Sequence, residues 1–258
     1  MITITLTTIY SLLTLLSILF IAKKTLDFKY KNADTEVSTN SNINLAITYA
    51  GTYLSIMIGF IGVQNTIFIN QLLESVMLLG FIFSSYEIFN KVFKIEDILS
   101  NSIFKLGFMV STGIISMGAF SGFAPLYSTA LFFILGQVAL IGVVFIYKGI
   151  FYQNILEKVS CNNLSAGFLL SGTMISYSLL LYSAIYGDAT NITADLQSFA
   201  IYAGLGILFF LLFANKFIDH VFLPISKIED ELNADNLGAI LIVIFIKIGF
   251  ALLIAMTI

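Results

Sequence analysis

Eight stretches of the chain are continuously apolar and long: residues 4–22, 43–63, 67–89, 101–121, 126–148, 164–186, 196–214 and 237–257. A helix needs about 20 apolar residues to cross the hydrocarbon of a bilayer. The runs do not alternate between apolar and polar positions, as membrane strands do. The pattern therefore predicts an all-α polytopic membrane bundle of about eight transmembrane helices.

The polar segments between the runs orient the bundle. Lys23, Lys24, Lys29, Lys31, Lys91, Lys94, Lys148, Lys158, Lys216 and Lys227 fall between runs one and two, three and four, five and six, and seven and eight. The other connections carry no lysine, and the longest of them holds Asp188 and Asp195. Because basic loops stay on the cytoplasmic side, both termini are expected outside and the four lysine-bearing connections inside. The first run lacks a basic leader and a small-residue cleavage pattern, so it reads as a retained helix. The sequon Asn191-Ile192-Thr193 reads as an ordinary outer loop.

The inner connections resemble one another. Each carries acidic residues, then Asn, then a new helix: Asp34-Thr35-Glu36 before Asn42, Glu96-Asp97 before Asn101, Glu157 before Asn163, and Glu229-Asp230-Glu231 before Asn236. Asn42 to Gly51-Thr52 and Asn163 to Gly172-Thr173 are equally spaced, and Lys105 and Lys247 each lie in the helix after the second and fourth connections. The chain thus divides into two four-helix repeats, residues 1–123 and 124–258. An even number of crossings per repeat makes the copies parallel, related by an axis along the membrane normal. The Asn residues read as helix caps, which accept hydrogen bonds from free first-turn N–H groups. The sharper alternative is that these helix starts converge and hold an anion.

Composition agrees with a lipid solvent. Residues are 59% hydrophobic and 10% charged, with a mean hydropathy of +0.99; a soluble domain is nearer about 25% charged. The two prolines, Pro125 and Pro224, leave the runs free to be helical. A net charge of −3 argues against nucleic acid. One cysteine, Cys161, and one histidine, His220, exclude an internal disulfide and a multi-histidine metal cluster. No cofactor is expected.

The stretches Asn162-Asn163-Leu164-Ser165-Ala166 and Ser171-Gly172-Thr173, with Asn42 to Gly51-Thr52, resemble the domain of unknown function 350 family, the YjfL-like bacterial inner-membrane proteins. So does Asp219-His220-Val221-Phe222-Leu223-Pro224-Ile225-Ser226-Lys227-Ile228-Glu229, leading to Asn236-Leu237-Gly238-Ala239. The likeness is closer in 125–258 than in 1–123. It implies one or two four-helix units per chain, here two in tandem. It also implies work beside phage-shock-type peripheral membrane proteins, and hence in membrane stress.

Ionisable residues inside a membrane are candidates for function. Lys247 lies about ten residues from either end of its helix, roughly 15 Å from each boundary at about 1.5 Å per residue. Gln137 sits at matching depth in the same half, and both are expected to face the bundle interior. Glu74 and Glu87 lie near opposite ends of the third helix and are expected to be solvated. Lys105 is expected to snorkel, or to pair with Glu87. Gly51, Ser55 and Gly59, and Gly118 with Gly122, form small faces suited to close packing within the chain, with a homo-oligomer contact as the alternative.

Two function classes follow. One is a scaffold or sensor that docks a cytoplasmic peripheral protein on residues 214–236, where Asp219, Glu229, Asp230, Glu231 and Asp235 outnumber Lys216 and Lys227. The other is a channel or transporter for a small solute or anion that uses Lys247 and Gln137. The sequence has no paired carboxylates at membrane depth, no histidine cluster and no nucleophile motif, so an enzyme is not expected.

Overall fold

The computed structural model describes residues 6–31, 33–63, 68–94, 96, 98–121, 125–187, 191–208, 215–222 and 226–257. They form α1 (Leu6–Lys29), α2 (Ala33–Ser38), α3 (Ile43–Gly62), α4 (Phe68–Phe93), α5 (Leu99–Phe120), α6 (Leu126–Ile146), a π-helical turn (Tyr147–Phe151), α7 (Ile155–Ser160), α8 (Leu164–Ile185), α9 (Ile192–Ile207), α10 (Asn215–Val221), α11 (Ile228–Asn233) and α12 (Leu237–Thr257). Helices α1 and α4 outrun their apolar stretches by a turn or more and end on Lys29 and near Lys91. Cations there suit the negative end of the helix dipole.

Among the described residues, seven helices are long and apolar enough to cross a membrane: α1, α3, α4, α5, α6 with its π turn, α8 and α12. The eighth expected run coincides with α9, described over 16 residues. Residues 209–214 of that run, and Gly122, lie outside the described residues. The chain is a polytopic membrane helix bundle.

Four of these helices form a row, α3–α5–α8–α12. Position in the row shows in burial: α5 is buried over 83% of its span and α8 over 78%, but α12 over only 28%. Lipid tails are as apolar as leucine, so helices in a bilayer gain little by hiding leucines and more by close backbone contact at small residues. The row is built on such contacts. A side chain at Gly107 of α5 would overlap the backbone of Ser171 of α8. One at Gly113 would reach within 2.8 Å of Ser55 Cα on α3. Gly51 and Gly59 meet Leu106 and Ser116 of α5, and Gly118 meets Tyr182 of α8. The small faces read from the sequence thus serve contacts inside the chain.

Around the row, α4 and α6 close on α5 through aromatic rings. Phe81 of α4 stacks on Phe133 of α6 with centroids 3.9 Å apart. Phe89 meets Phe104 and Phe108 of α5 at 4.9 and 5.2 Å. Several buried hydroxyls keep to their own helix: Thr52, Ser75, Ser111 and Ser176 donate to the carbonyl four residues back, which lets polar side chains lie dry.

Replacing Gly107 with Val should lower the thermal unfolding midpoint of detergent-purified protein by the equivalent of at least about 1–3 kcal/mol, the usual cost of overpacking. Gly80 on α4 faces open space, so Gly80→Val should leave the midpoint nearly unchanged. Equal effects would refute the close-contact account.

Candidate functional site

Lys247 is fully buried on the inner edge of α12. Its Nζ donates to the Tyr147 hydroxyl, and to Thr173 Oγ1 of α8 at 3.5 Å. The same nitrogen stands 4.7 Å from the centroid of the Tyr147 ring. Tyr147, fully buried in the π turn, donates in turn to Asn215 Oδ1 at 2.9 Å. Asn215 is the first residue of α10. Lysine at this depth costs about 2.5–3.5 kcal/mol on insertion scales; the hydroxyls of Tyr147 and Thr173 offset part of it. The side chain therefore finds its polar neighbours within the protein rather than at the lipid boundary.

Tyr152 packs against Tyr147 with ring centroids 5.3 Å apart. Burial, with the nearby Tyr147, Asp219 and Glu229, pushes the Tyr152 hydroxyl well above the ordinary tyrosine value, so it stays neutral. Tyr152 also lines a cleft of about 290 Å³ with Lys158, Glu229 and Asn233. A second cleft, of about 540 Å³, lies between the end of α1 and the start of α3, lined by Lys29, Lys31, Glu36, Asn42 and Thr48. Neither Lys247 nor Gln137 lines these two clefts.

Gln137 is buried, as expected, but its partner is Thr112 of α5, with Nε2 to Oγ1 at 3.3 Å. The structure assigns Lys247 and Gln137 to separate sites. Lys105 does not snorkel. It is 2% exposed, with Nζ 5.5 and 5.9 Å from the ring centroids of Tyr86 and Phe89. Nor is Lys105 the ion-pair partner of Glu87, which pairs with Lys29. Successive residues on a helix point to different sides, so Tyr86 faces α5 while Glu87 is exposed. Glu74 is half-buried.

The helix starts repeat a local geometry. Ser41, Asn162 and Asp235 have φ of 53°, 60° and 51°, and each directly precedes Asn42, Asn163 or Asn236. Those asparagines cap the next helix, accepting from Leu45, Ala166 and Ala239 N–H groups at 3.1, 2.7 and 3.4 Å. Asn163 and Asn236 N–H groups reach back to Lys158 and Glu231 carbonyls at 3.0 and 2.9 Å, the C-terminal closure that a left-handed residue permits. Asn101 departs from its expected role. Helix α5 starts at Leu99 with Ile98 at the cap position, so Asn101 falls inside the first turn and donates to the Glu96 carbonyl at 2.9 Å.

Three of these starts converge, but the chain closes them itself. Asn162 Oδ1 accepts from Ser100 N–H of α5 at 3.1 Å, and Asp235 Oδ1 from Ser165 N–H of α8 at 2.8 Å. Ser100 Oγ donates to the Asn163 carbonyl at 2.5 Å, and Asn163 Nδ2 to the Leu232 carbonyl at 2.9 Å. The Ser100 and Ser165 N–H groups, first-turn donors that an anion would use, are taken by Asn162 and Asp235. Sequence reading missed Tyr147, Thr173 and Asn215. Thr173 stood out only as part of the Gly172-Thr173 repeat, and Tyr147 and Asn215 only as polar residues at the end of an apolar run.

Two variants of Asp235 separate these roles. Asn keeps an acceptor oxygen and tolerates positive φ, so Asp235→Asn should unfold near the wild-type temperature. Asp235→Ala loses the acceptor and the tolerance, and should cost about 1 kcal/mol or more by thermal unfolding. Equal midpoints would show that the Ser165 bond contributes nothing.

No curated protein and no solved structure matches the chain. One family model matches, described as Domain of Unknown Function (DUF350), over residues 120–258. It opens at the last residue of α5 and takes in α6 to α12, and with them Lys247, Tyr147, Asn215 and the Asn163 and Asn236 starts. More than half of the chain lies within that match, and the chain belongs to the DUF350 family.

Proposed function

We propose that this protein is a non-catalytic scaffold or sensor of membrane stress in the bacterial inner membrane, with both termini outside and the lysine-bearing connections in the cytoplasm. In this reading residues 1–123 and 124–258 are parallel tandem units. The recurring cap geometry supports that, as do the matching contacts of Gly51 with Leu106 and Gly172 with Ile244.

The observation that carries the reading is a contrast between the two polar regions. At membrane depth, Lys247 and Gln137 are buried and bonded to the chain at separate sites, which suits a polar clasp better than a pathway. At the cytoplasmic end, the acidic residues of 214–236 fold into a fixed surface. Asp219 accepts from the Ile228 N–H at 2.9 Å and Asp230 from the Lys227 N–H at 3.2 Å. Glu231 accepts from Ser226 and from Asn236 Nδ2. Glu229, Asp230 and Asp235 remain exposed. A partner with a basic surface would be drawn to this face.

Two measurements test the reading. A photo-crosslinker at position 229 in living cells should give one discrete protein adduct, lost when Asp230 and Glu231 are changed to Lys. Without an adduct, the docking surface fails. In proteoliposomes, wild type and Lys247→Met should show the same low anion and solute flux; flux that vanishes in Lys247→Met would favour a transporter instead.

A further inference from the structure

Helix α12 ends the row and is its least buried member. Ile242, Phe245, Leu253 and Met256 on its outer side are exposed, so lipid bears directly on it. Its inner edge packs on α8 and meets α11. From that edge Lys247 holds Tyr147, and Tyr147 holds Asn215 at the head of α10. Asp219 of α10 then holds the start of α11 through the Ile228 N–H. Side-chain hydrogen bonds and the short helix α10 thus lead from the most lipid-exposed helix of the row to the acidic segment.

We propose that this path transmits the state of the bilayer to the α10–α11 segment. Helices answer a change of hydrocarbon thickness by tilting or shifting. Helix α5 has close backbone contacts on both sides, with Ser55 of α3 and with Ser171 of α8, whereas α12 packs in the row on α8 alone, through the Ile244 side chain against Gly172. A shift of α12 displaces Lys247 from Tyr147, and with the Tyr147–Asn215 bond disturbed, α10–α11 loosens. The inference deepens the sensor reading by supplying its input. It needs no partner to be observed.

The test is hydrogen–deuterium exchange of the full chain in nanodiscs of dimyristoyl- and of dioleoyl-phosphatidylcholine. In wild type, amides of 216–222 and 228–233 should exchange at rates that differ about two- to tenfold between the two bilayers, the factor one buried hydrogen bond sets. Lys247→Met and Tyr147→Phe should both abolish the difference, with fast exchange in either lipid and with α5 and α8 as in wild type. Tyr147→Phe keeps the ring and its packing, and decides the matter alone if Lys247→Met does not insert. Identical wild-type rates in the two lipids would overturn the proposal, as would a lipid dependence that survives in Tyr147→Phe. A missing crosslink at position 229 would leave these rates untouched, so the two readings fail separately.

Discussion

Backbone contact between α5 and its neighbours is the constraint on which the rest of the structure depends. In lipid there is no hydrophobic reason for one apolar helix to choose another. The choice is made where glycine lets main chains touch, at Gly113 against Ser55 and at Gly107 against Ser171. These contacts fix α3, α5 and α8 in depth and rotation. Once they are set, Thr112 meets Gln137, Phe89 finds the α5 rings, and the starts of α5 and α8 come within reach of one hydrogen-bond network.

The polar groups then divide by position. Hydroxyls such as those of Thr52, Ser111 and Ser176 turn back to their own helix, while Ser100, Thr112 and Thr173 reach neighbouring elements. Lys247 cannot do so, because its amine stands too far from its own backbone. It meets Tyr147 at the first residue of the π turn, and Tyr147 in turn donates to Asn215. Lys105 illustrates the other solution, an amine beside the faces of Tyr86 and Phe89. Both lysines are buried, and Lys247 is joined through Tyr147 to Asn215 of α10.

Much of this was legible in the chain itself. Continuous apolar runs set the helices, and seven of the expected spans stand as long apolar helices. Asn42, Asn163 and Asn236 announced helix starts because a capping side chain acts on residues two or three positions away, a distance that sequence preserves. Asn101 looked the same and was not, since α5 starts at Leu99 and its Ser100 N–H is taken by Asn162, 62 residues beyond Ser100. The Glu87–Lys105 pairing failed for a related reason: depth can be read from sequence, but helix rotation is decided by packing. Tyr147 and Asn215 were invisible because their importance lies in what they touch.

The left-handed residues at 162 and 235 carry a consequence for biosynthesis. Each gives its side chain to a helix made earlier: Asn162 completes the start of α5, and Asp235 completes the start of α8. A ribosome delivers the chain in one direction, so α5 waits with an open end until the connection between α7 and α8 emerges, and α8 waits for the connection between α11 and α12. The inner helices are therefore fastened in order, each by the hairpin that follows it, and the order of synthesis becomes the order in which the bundle is made secure.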